Sequence, residues 1–115
     1  MLERGVDMKI YGIKEKSTGR IIYIGQTIQS GKKRFYDHFR AAQKKDKTDS
    51  FHLFLKNKTQ DDFEFVVLED NILDKQLLNE REEYYISLYD TINSGYNTYS
   101  KSNTINLNQY GKKVK

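Results

Sequence analysis

A tight turn between two short runs of β-branched and aromatic residues is the feature that most constrains the fold of this chain. The runs are residues 8–14 and 20–25, and the turn signal between them is Ser17-Thr18-Gly19. Because so short a connection joins neighbouring antiparallel strands, the pattern predicts a β-hairpin. An antiparallel sheet is therefore the starting point of the fold.

The remaining segments predict three helices and one further strand. Residues 32–45 have helical spacing with Ser30 as a cap, and Asp74 is placed to cap a longer helix that runs to about residue 90. Between them we expect a short helix at 50–58 and a third strand at 63–69. The order β-β-α-α-β-α predicts an α+β fold, a three-stranded antiparallel sheet with flanking helices.

The length of 115 residues fits one domain, which we place at residues 1–98. Residues 99–115 are basic, rich in Asn and Lys and weakly periodic, so we expect a loosely held tail. No apolar run has the length of a membrane span, and residues 1–7 carry no signal segment. We therefore expect a soluble, cytoplasmic protein without a membrane partner.

Cysteine and histidine usage limits the metal chemistry of this chain. There is no Cys, which excludes disulfides and thiolate zinc sites, and the chain has only two His. Any bound metal must therefore sit on oxygen ligands.

The charge distribution separates the chain into a basic and an acidic half. Residues 1–60 hold fourteen Lys and Arg against six acids, whereas residues 61–115 hold six against ten. The densest basic stretch, 32–58, suits a phosphate-tracking surface, although a Lys-rich helix face can also serve solubility alone. The residues that we predict to bind nucleic acid are Lys32, Lys33, Arg40, Lys44 and Lys45.

Two helices present polar residues where their apolar faces end. Arg34 and His38 lie one turn apart on the first helix, where an Arg can meet a phosphate and a His can share protons. Glu82 lies at the edge of the apolar sector of the last helix, and a carboxylate there is costly unless it is paired or binds a metal. The structural alternatives are simple hydrogen bonds for the first pair and a salt bridge for Glu82.

Tyr11 and Tyr23 occupy adjacent strands of the predicted hairpin. Both can be core residues. In a functional interpretation, their hydroxyls converge on the water that attacks a phosphate, with cationic neighbours or a metal compensating for a phenol pKa near 10.

The order of these elements resembles the GIY-YIG nuclease family over about residues 8–97. The sequence contains Lys9-Ile10-Tyr11, then Tyr23-Ile24-Gly25, then Arg34 with His38, then Glu82, and finally Gly95-Tyr96-Asn97. Five ordered elements are far more specific than any one of them.

The resemblance implies a role for each matching residue. Tyr11 and Tyr23 are the motif tyrosines, Arg34 and His38 the helix pair, and Glu82 the ligand of Mg²⁺ or Mn²⁺. Gly25 permits close approach of the backbone, and Asn97 supports the site. The catalytic residues implied are thus Tyr11, Tyr23, Arg34, His38 and Glu82.

The implied activity is metal-dependent hydrolysis of DNA phosphodiesters to 5′-phosphate and 3′-hydroxyl ends, with RNA left open as a substrate. Arg34 would contact the phosphate, and Tyr11 or Tyr23, aided by His38, would take a proton from the attacking water. A single site cuts one strand, so clean double-strand breaks would need a homodimer, a second binding event or a separate specificity partner.

Two departures from the family pattern support a rival interpretation. Lys9 stands where the family usually has Gly, and where some members have another His this chain has 48–50, with His52 out of register and unassigned. The rival is a nonenzymatic nucleic-acid-binding module that keeps the fold without turnover. Retention of Arg34 and Glu82 favours the nuclease.

Overall fold

The computed structural model describes residues 8–47 and 49–98 and has the predicted order of elements, β-β-α-α-β-α. A one-turn 3₁₀ helix, Gln60–Asp62, which the sequence analysis did not anticipate, precedes the third strand. The predicted tail at 99–115 lies outside the described residues and stays a prediction. The elements are β1 Met8–Glu15, β2 Arg20–Thr27, α1 Gly31–Ala42, α2 Ser50–Leu55, β3 Phe63–Ile72 and α3 Lys75–Tyr89.

The three strands form one antiparallel sheet in the order β2-β1-β3, which confirms the predicted fold class. β1 is central, so its backbone is paired on both edges. The turn between β1 and β2 depends on Gly19, whose φ of 74° lies in the left-handed region that glycine enters without steric cost. The register places Tyr11 opposite Gly25 and Ile13 opposite Tyr23.

Several boundaries differ from the predicted ones: α2 ends at Leu55 instead of residue 58, and β2 continues to Thr27 instead of residue 25. α1 ends at Ala42 rather than at residue 45, because Ala42 is its last buried residue and the lysines beyond it are exposed. β3 continues to Ile72, which is buried and pairs with Met8. An irregularity in the pairing, with Asn71 at φ 59°, lets the strand reach that partner.

The predicted caps on two helices are confirmed. The Ser30 hydroxyl accepts a hydrogen bond from the Lys33 amide at 3.2 Å, and the Asp74 carboxylate accepts one from the Gln76 amide at 3.2 Å. Such a cap stabilises a helix by about 1 kcal/mol. The cap on α1 fixes the start of the helix that carries Arg34 and His38. None of the helices in the described ranges is long and apolar enough to span a membrane.

The interior consists of two apolar clusters that share the central strand. Tyr11 belongs to the cluster that includes Ala42 of α1 and Phe51 of α2. Ile10 belongs to the cluster built with Leu78 and Ile86 of α3. Since adjacent residues of a strand point to opposite faces, β1 connects the layer of α1 and α2 with that of α3.

The prediction of which face of α3 is buried is wrong. Leu77, Tyr84 and Leu88 are 42%, 47% and 56% exposed, respectively. The buried face consists of residues four apart, Leu78, Glu82 and Ile86. Glu82 is therefore at the centre of the packed face instead of at its edge.

A loop after α3 closes against the outer edge of β2. The Asn97 side chain donates to the Ile24 carbonyl at 2.9 Å and accepts from the Ile24 amide at 2.8 Å. The Tyr96 amide donates to the Ile22 carbonyl at 2.7 Å. A Cβ at Gly95 would overlap that same carbonyl, so only glycine permits this approach. The loop thus satisfies backbone groups of β2 on either side of Tyr23.

We predict that Asn97→Ala lowers the free energy of unfolding by about 1–3 kcal/mol, because it leaves two buried backbone groups of Ile24 without partners. Asn93→Ala is the matched control, since Asn93 is exposed and bonds only to nearby Asp90. It should cost less than about 0.5 kcal/mol. Urea denaturation measures both values, and equal losses would contradict the role given to Asn97.

Candidate active site

The Tyr11 hydroxyl is the meeting point of the candidate site. Tyr11 is fully buried on β1, and its ring stacks on Phe65 with centroids 4.7 Å apart. Its oxygen lies 2.6 Å from Nε2 of His38 and accepts a hydrogen bond from Nε of Arg34 at 3.3 Å. The central strand and α1 thus bring three of the predicted catalytic residues into direct contact.

Gly25 provides the space that the Tyr11 ring occupies. It faces Tyr11 across the β1–β2 pairing, and a Cβ at this position would overlap the phenol ring and its hydroxyl. The close contact at Gly25 is made by the Tyr11 side chain, which differs from the backbone approach that the resemblance implied. This explains why a motif tyrosine on one strand is combined with a motif glycine on the next.

His38 is buried, not at the border of its helix as the periodicity predicted. It is 2% exposed, and its ring lies edge-on to Tyr23 and Phe51 at 5.5 and 5.1 Å. Burial, followed by the nearby positive charge of Arg34, lowers the pKa of His38 to about 3. His38 is therefore neutral near pH 7, with one ring nitrogen that donates and one that accepts a hydrogen bond.

Tyr23 is half-buried and packs beside this group. Its ring stacks on Phe51 with centroids 4.0 Å apart and planes at 2°. Burial raises the pKa of Tyr23, while Arg34 works in the opposite direction. The same holds for Tyr11. Burial and the neighbouring Tyr23 raise the pKa of Tyr11, and Arg34 works in the opposite direction. Both phenols are therefore protonated at neutral pH.

Glu82 is 5% exposed, and Gln26 holds its carboxylate. The Gln26 amide donates to Glu82 Oε1 at 2.8 Å and to Asn79 Oδ1 at 2.9 Å, and its oxygen accepts from Lys75 Nζ at 2.7 Å. The charge of Glu82 contributes to raising the pKa of Tyr11 and Tyr23, which places it within electrostatic reach of both phenols.

A cavity of about 390 Å³ lies beside the site, and among the predicted catalytic residues Arg34 is the one that lines it. Arg34 from α1, Gln26 from β2 and Lys75 from α3 line it. Because Gln26 also bonds Glu82, the cavity places the guanidinium beside the residues that orient the carboxylate. Two cationic side chains at one opening suit a phosphate group.

The residues present fit a hydrated Mg²⁺ or Mn²⁺ ion. Glu82 offers a carboxylate, and the Gln26 amide group links it to the side-chain oxygen of Asn79; both are hard donors. Within residues 8–47 and 49–98 there is no cluster of three or more His, Cys, Asp or Glu that could hold a metal. An ion at Glu82 would therefore complete its coordination with water and substrate oxygens, as Mg²⁺ commonly does.

The five basic residues predicted to bind nucleic acid are all exposed. Lys33 pairs with Asp37 at 3.5 Å, and the Arg40 guanidinium lies 5.8 Å from the centre of the Tyr36 ring. Lys44 and Lys45 follow the end of α1, so they are not on the helix as predicted. Lys32 and Lys33 border a separate surface cavity of about 510 Å³.

Several residues near the site were missed or left unassigned by the sequence analysis. His52, which was out of register with the family, lies 3.2 Å from His38, and Asp49 contacts its other nitrogen at 2.8 Å. The spacing of an Asp cap followed by His three residues later was the available signal for this pair. Gln26 directly follows the second motif, whereas nothing local distinguishes Lys75.

The buried, neutral state of His38 predicts how stability changes with pH. The unfolded chain binds a proton on this residue below about pH 6.5, and the folded protein does so only near pH 3. Unfolding free energy should therefore rise with pH across this window, by up to about 1.4 kcal/mol per unit from this residue.

In His38→Gln, the unfolding free energy should rise less steeply with pH between 4 and 6.5, because the contribution of His38 is lost. Urea denaturation at constant ionic strength measures this slope. Asp37→Asn, on the same helix, serves as the control variant. Identical pH slopes for the wild type and His38→Gln would contradict the neutral, buried state of His38.

Comparison with known proteins identifies the family and the fold. The model of the GIY-YIG catalytic domain matches residues 8–97. The fold is similar to the catalytic domain of the homing endonuclease I-TevI, with a TM-score of 0.64 and 28% identity, covering 78% of this chain and 96% of that one. A mutant of the catalytic domain of the intron endonuclease I-TevI has a TM-score of 0.68 and 26% identity, covering 82% and 95%. No curated protein gives a significant match. This chain belongs to the GIY-YIG family of nuclease catalytic domains.

Proposed function

We propose that this chain is a divalent-metal-dependent endonuclease that hydrolyses DNA phosphodiester bonds and leaves 5′-phosphate and 3′-hydroxyl ends. The observation that carries the proposal is the Tyr11 hydroxyl, which contacts both Arg34 and His38 in a site shared with the buried Glu82. Family membership and the likeness to endonuclease catalytic domains support it.

Arg34 is the phosphate-binding residue in this proposal. It lines the cavity of about 390 Å³ and is tied to Tyr11 only through Nε, at 3.3 Å. Its two terminal NH₂ groups are not used in that bond, so they can bind an incoming anion. Negative charge grows on the nonbridging oxygens as water attacks, so a fixed cation there stabilises the transition state more than the ground state.

Tyr11 is the residue that we assign to the attacking water. Its hydroxyl is 2.6 Å from His38 Nε2, so a proton arriving at the phenol has an acceptor within hydrogen-bond distance. Tyr23 contacts His38 only edge-on, through ring packing. We therefore give Tyr23 the task of shaping the water's binding place and of keeping the His38 ring in orientation.

Glu82 is the residue that would hold the metal ion. Gln26 and the packing of α3 fix its carboxylate, which satisfies the need for an immobile ligand. A divalent cation bound there supplies positive charge that polarises the phosphate and stabilises the leaving oxygen. Gln26 and Lys75 orient the carboxylate side of the cavity, and Asn97 keeps β2 in place beside it.

The exposed basic residues around α1 would track the phosphates on both sides of the scissile bond. Lys32, Lys33, Arg40, Lys44 and Lys45 carry the charge for this, without a recognisable base-reading element in the described ranges. Affinity should accordingly depend on salt more than on sequence. Cleavage of both strands would need a second copy of the chain, a second binding event or a partner.

Replacing Glu82 by Gln should lower metal-dependent cleavage of plasmid DNA at least about a hundredfold, the scale for losing a group that supports transition-state charge. DNA affinity should stay within about threefold, because one buried carboxylate contributes little to phosphate tracking. Glu80→Gln is the matched control, since Glu80 is exposed on the same helix. EDTA should abolish cleavage by the wild type and by this control.

Each outcome of that experiment distinguishes the nuclease from the binding module. If the wild type cleaves DNA and Glu82→Gln cleaves it equally well, or if cleavage continues in EDTA, the metal site at Glu82 would be contradicted. DNA binding without any cleavage by the wild type, with plasmid, branched and single-stranded substrates and with Mg²⁺ or Mn²⁺, would favour the nonenzymatic module.

Neutralising Lys44 and Lys45 together should reduce the slope of log affinity against log salt by about 2, one for each lost phosphate contact. Fluorescence anisotropy with a labelled duplex measures the slope, in the Glu82→Gln background so that the DNA stays intact. Lys16→Ala, in the hairpin turn, is the control and should leave the slope unchanged. Equal slopes for all three proteins would exclude this surface.

A further inference from the structure

A chain of hydrogen bonds leads from the protein surface to the Tyr11 hydroxyl. Asp49 contacts Nδ1 of His52 at 2.8 and 2.9 Å, Nε2 of His52 lies 3.2 Å from Nδ1 of His38, and Nε2 of His38 lies 2.6 Å from the hydroxyl. The three inner members are buried, with Tyr11, His38 and His52 0%, 2% and 9% exposed. Only Asp49 reaches solvent.

Asp49 determines which nitrogen of His52 carries the proton. Burial works to raise the pKa of Asp49, but the hydrogen bonds from the side chain and backbone of His52 outweigh it and lower the pKa below its usual value. An ionised carboxylate only accepts hydrogen bonds, so Nδ1 of His52 must be protonated. With a single ring proton on His52, the other nitrogen, Nε2, is then an acceptor.

Because each hydrogen bond needs one donor and one acceptor, the protonation of His52 also determines that of His38. Because Nε2 of His52 accepts, Nδ1 of His38 must donate to it. His38 is neutral, so its Nε2 carries a lone pair, and the Tyr11 hydroxyl must donate its proton to that nitrogen. In every hydrogen bond of the chain the donor therefore lies on the Tyr11 side and the acceptor on the Asp49 side.

With this polarity the Tyr11 oxygen donates only toward His38 and is an acceptor toward its other partners. One lone pair of the oxygen accepts from Arg34. The other is not used by His38, because His38 accepts the hydroxyl proton. Burial favours the neutral phenol over the phenolate. Tyr11 is therefore suited to take one proton while it gives up another, without a phenolate forming.

We propose that Asp49 is a positioning residue that, through His52, holds His38 in the tautomer that lets Tyr11 act as a proton shuttle for the attacking water. This inference rests on the proposed nuclease function and deepens it. It assigns His52, which has no counterpart in register with the family motif, to the same chain of proton transfer.

One O–H bond of the water breaks and its proton goes to the Tyr11 oxygen, as the Tyr11 proton moves to Nε2 of His38 and the Nδ1 proton of His38 moves to Nε2 of His52. The hydroxide forms the new P–O bond, the bond to O3′ breaks with its electron pair on O3′, and O3′ takes a proton from solvent. His52 ends as an imidazolium beside the Asp49 carboxylate, the arrangement in which a carboxylate stabilises a charged histidine.

A purely structural role for Asp49 makes a different prediction. Asp49 also caps α2, since its carboxylate accepts from the His52 amide at 3.3 Å. Asn caps a helix about as well as Asp, so Asp49→Asn keeps the cap and the shape. Its amide can donate to Nδ1 of His52, which reverses the tautomers of both histidines. The substitution therefore distinguishes the effect of the helix cap from the effect of the histidine tautomers.

The closing experiment measures tautomers and cleavage on the same full-length proteins. Long-range ¹H–¹⁵N NMR of the metal-free protein should show both histidines protonated on Nδ1 in the wild type, and on Nε2 in Asp49→Asn. Single-turnover cleavage by Asp49→Asn should be about a hundredfold slower, within the range for general acid–base catalysis, with unchanged DNA affinity and urea stability. Asp46→Asn, in the same exposed segment, should match the wild type.

The outcomes separate this inference from the proposed function. Wild-type His38 protonated on Nε2 would overturn the inference, and so would reversed tautomers in Asp49→Asn with undiminished cleavage. Absence of cleavage by the wild type would overturn the proposed function and the shuttle with it, while the NMR result would still report the tautomers.

Discussion

The hydrogen bond between the Tyr11 hydroxyl and His38 is the interaction on which the candidate site depends. It joins the central strand to α1 inside the core, where an unpaired hydroxyl or imidazole would be costly. For the bond to form, the next strand must have no side chain at Gly25, and α1 must begin at its Ser30 cap. The conformations of hairpin, helix and site are thus coupled through one buried polar contact.

The features of the fold that follow from local chemistry could be predicted from the sequence. The tight turn with Gly19, the caps Ser30 and Asp74 and the order of elements all rest on short-range signals. The buried face of α3 could not be predicted, because apolar residues occur around most of this helix. Which of them are covered is decided by where α3 packs against the sheet, and that placement puts Glu82 between Leu78 and Ile86.

The same division applies to the site. Tyr11, Arg34 and His38 were identifiable because they share a strand or helix face with a motif, and the structure brings them into contact. The burial of His38 and the pairing of His52 with Asp49 depend on how α2 folds back on α1. That packing joins residues separated by a loop without periodicity, so spacing alone left His52 unassigned.

The most direct test of the central claim is anomalous diffraction from crystals of Tyr11→Phe bound to uncleaved duplex DNA with Mn²⁺. This variant keeps the ring over Gly25 and lacks the hydroxyl that would receive the proton. We predict an Mn²⁺ peak at the Glu82 carboxylate, with the scissile phosphate between that ion and the Arg34 guanidinium. An ion bound elsewhere, with the phosphate out of reach of Arg34, would contradict it.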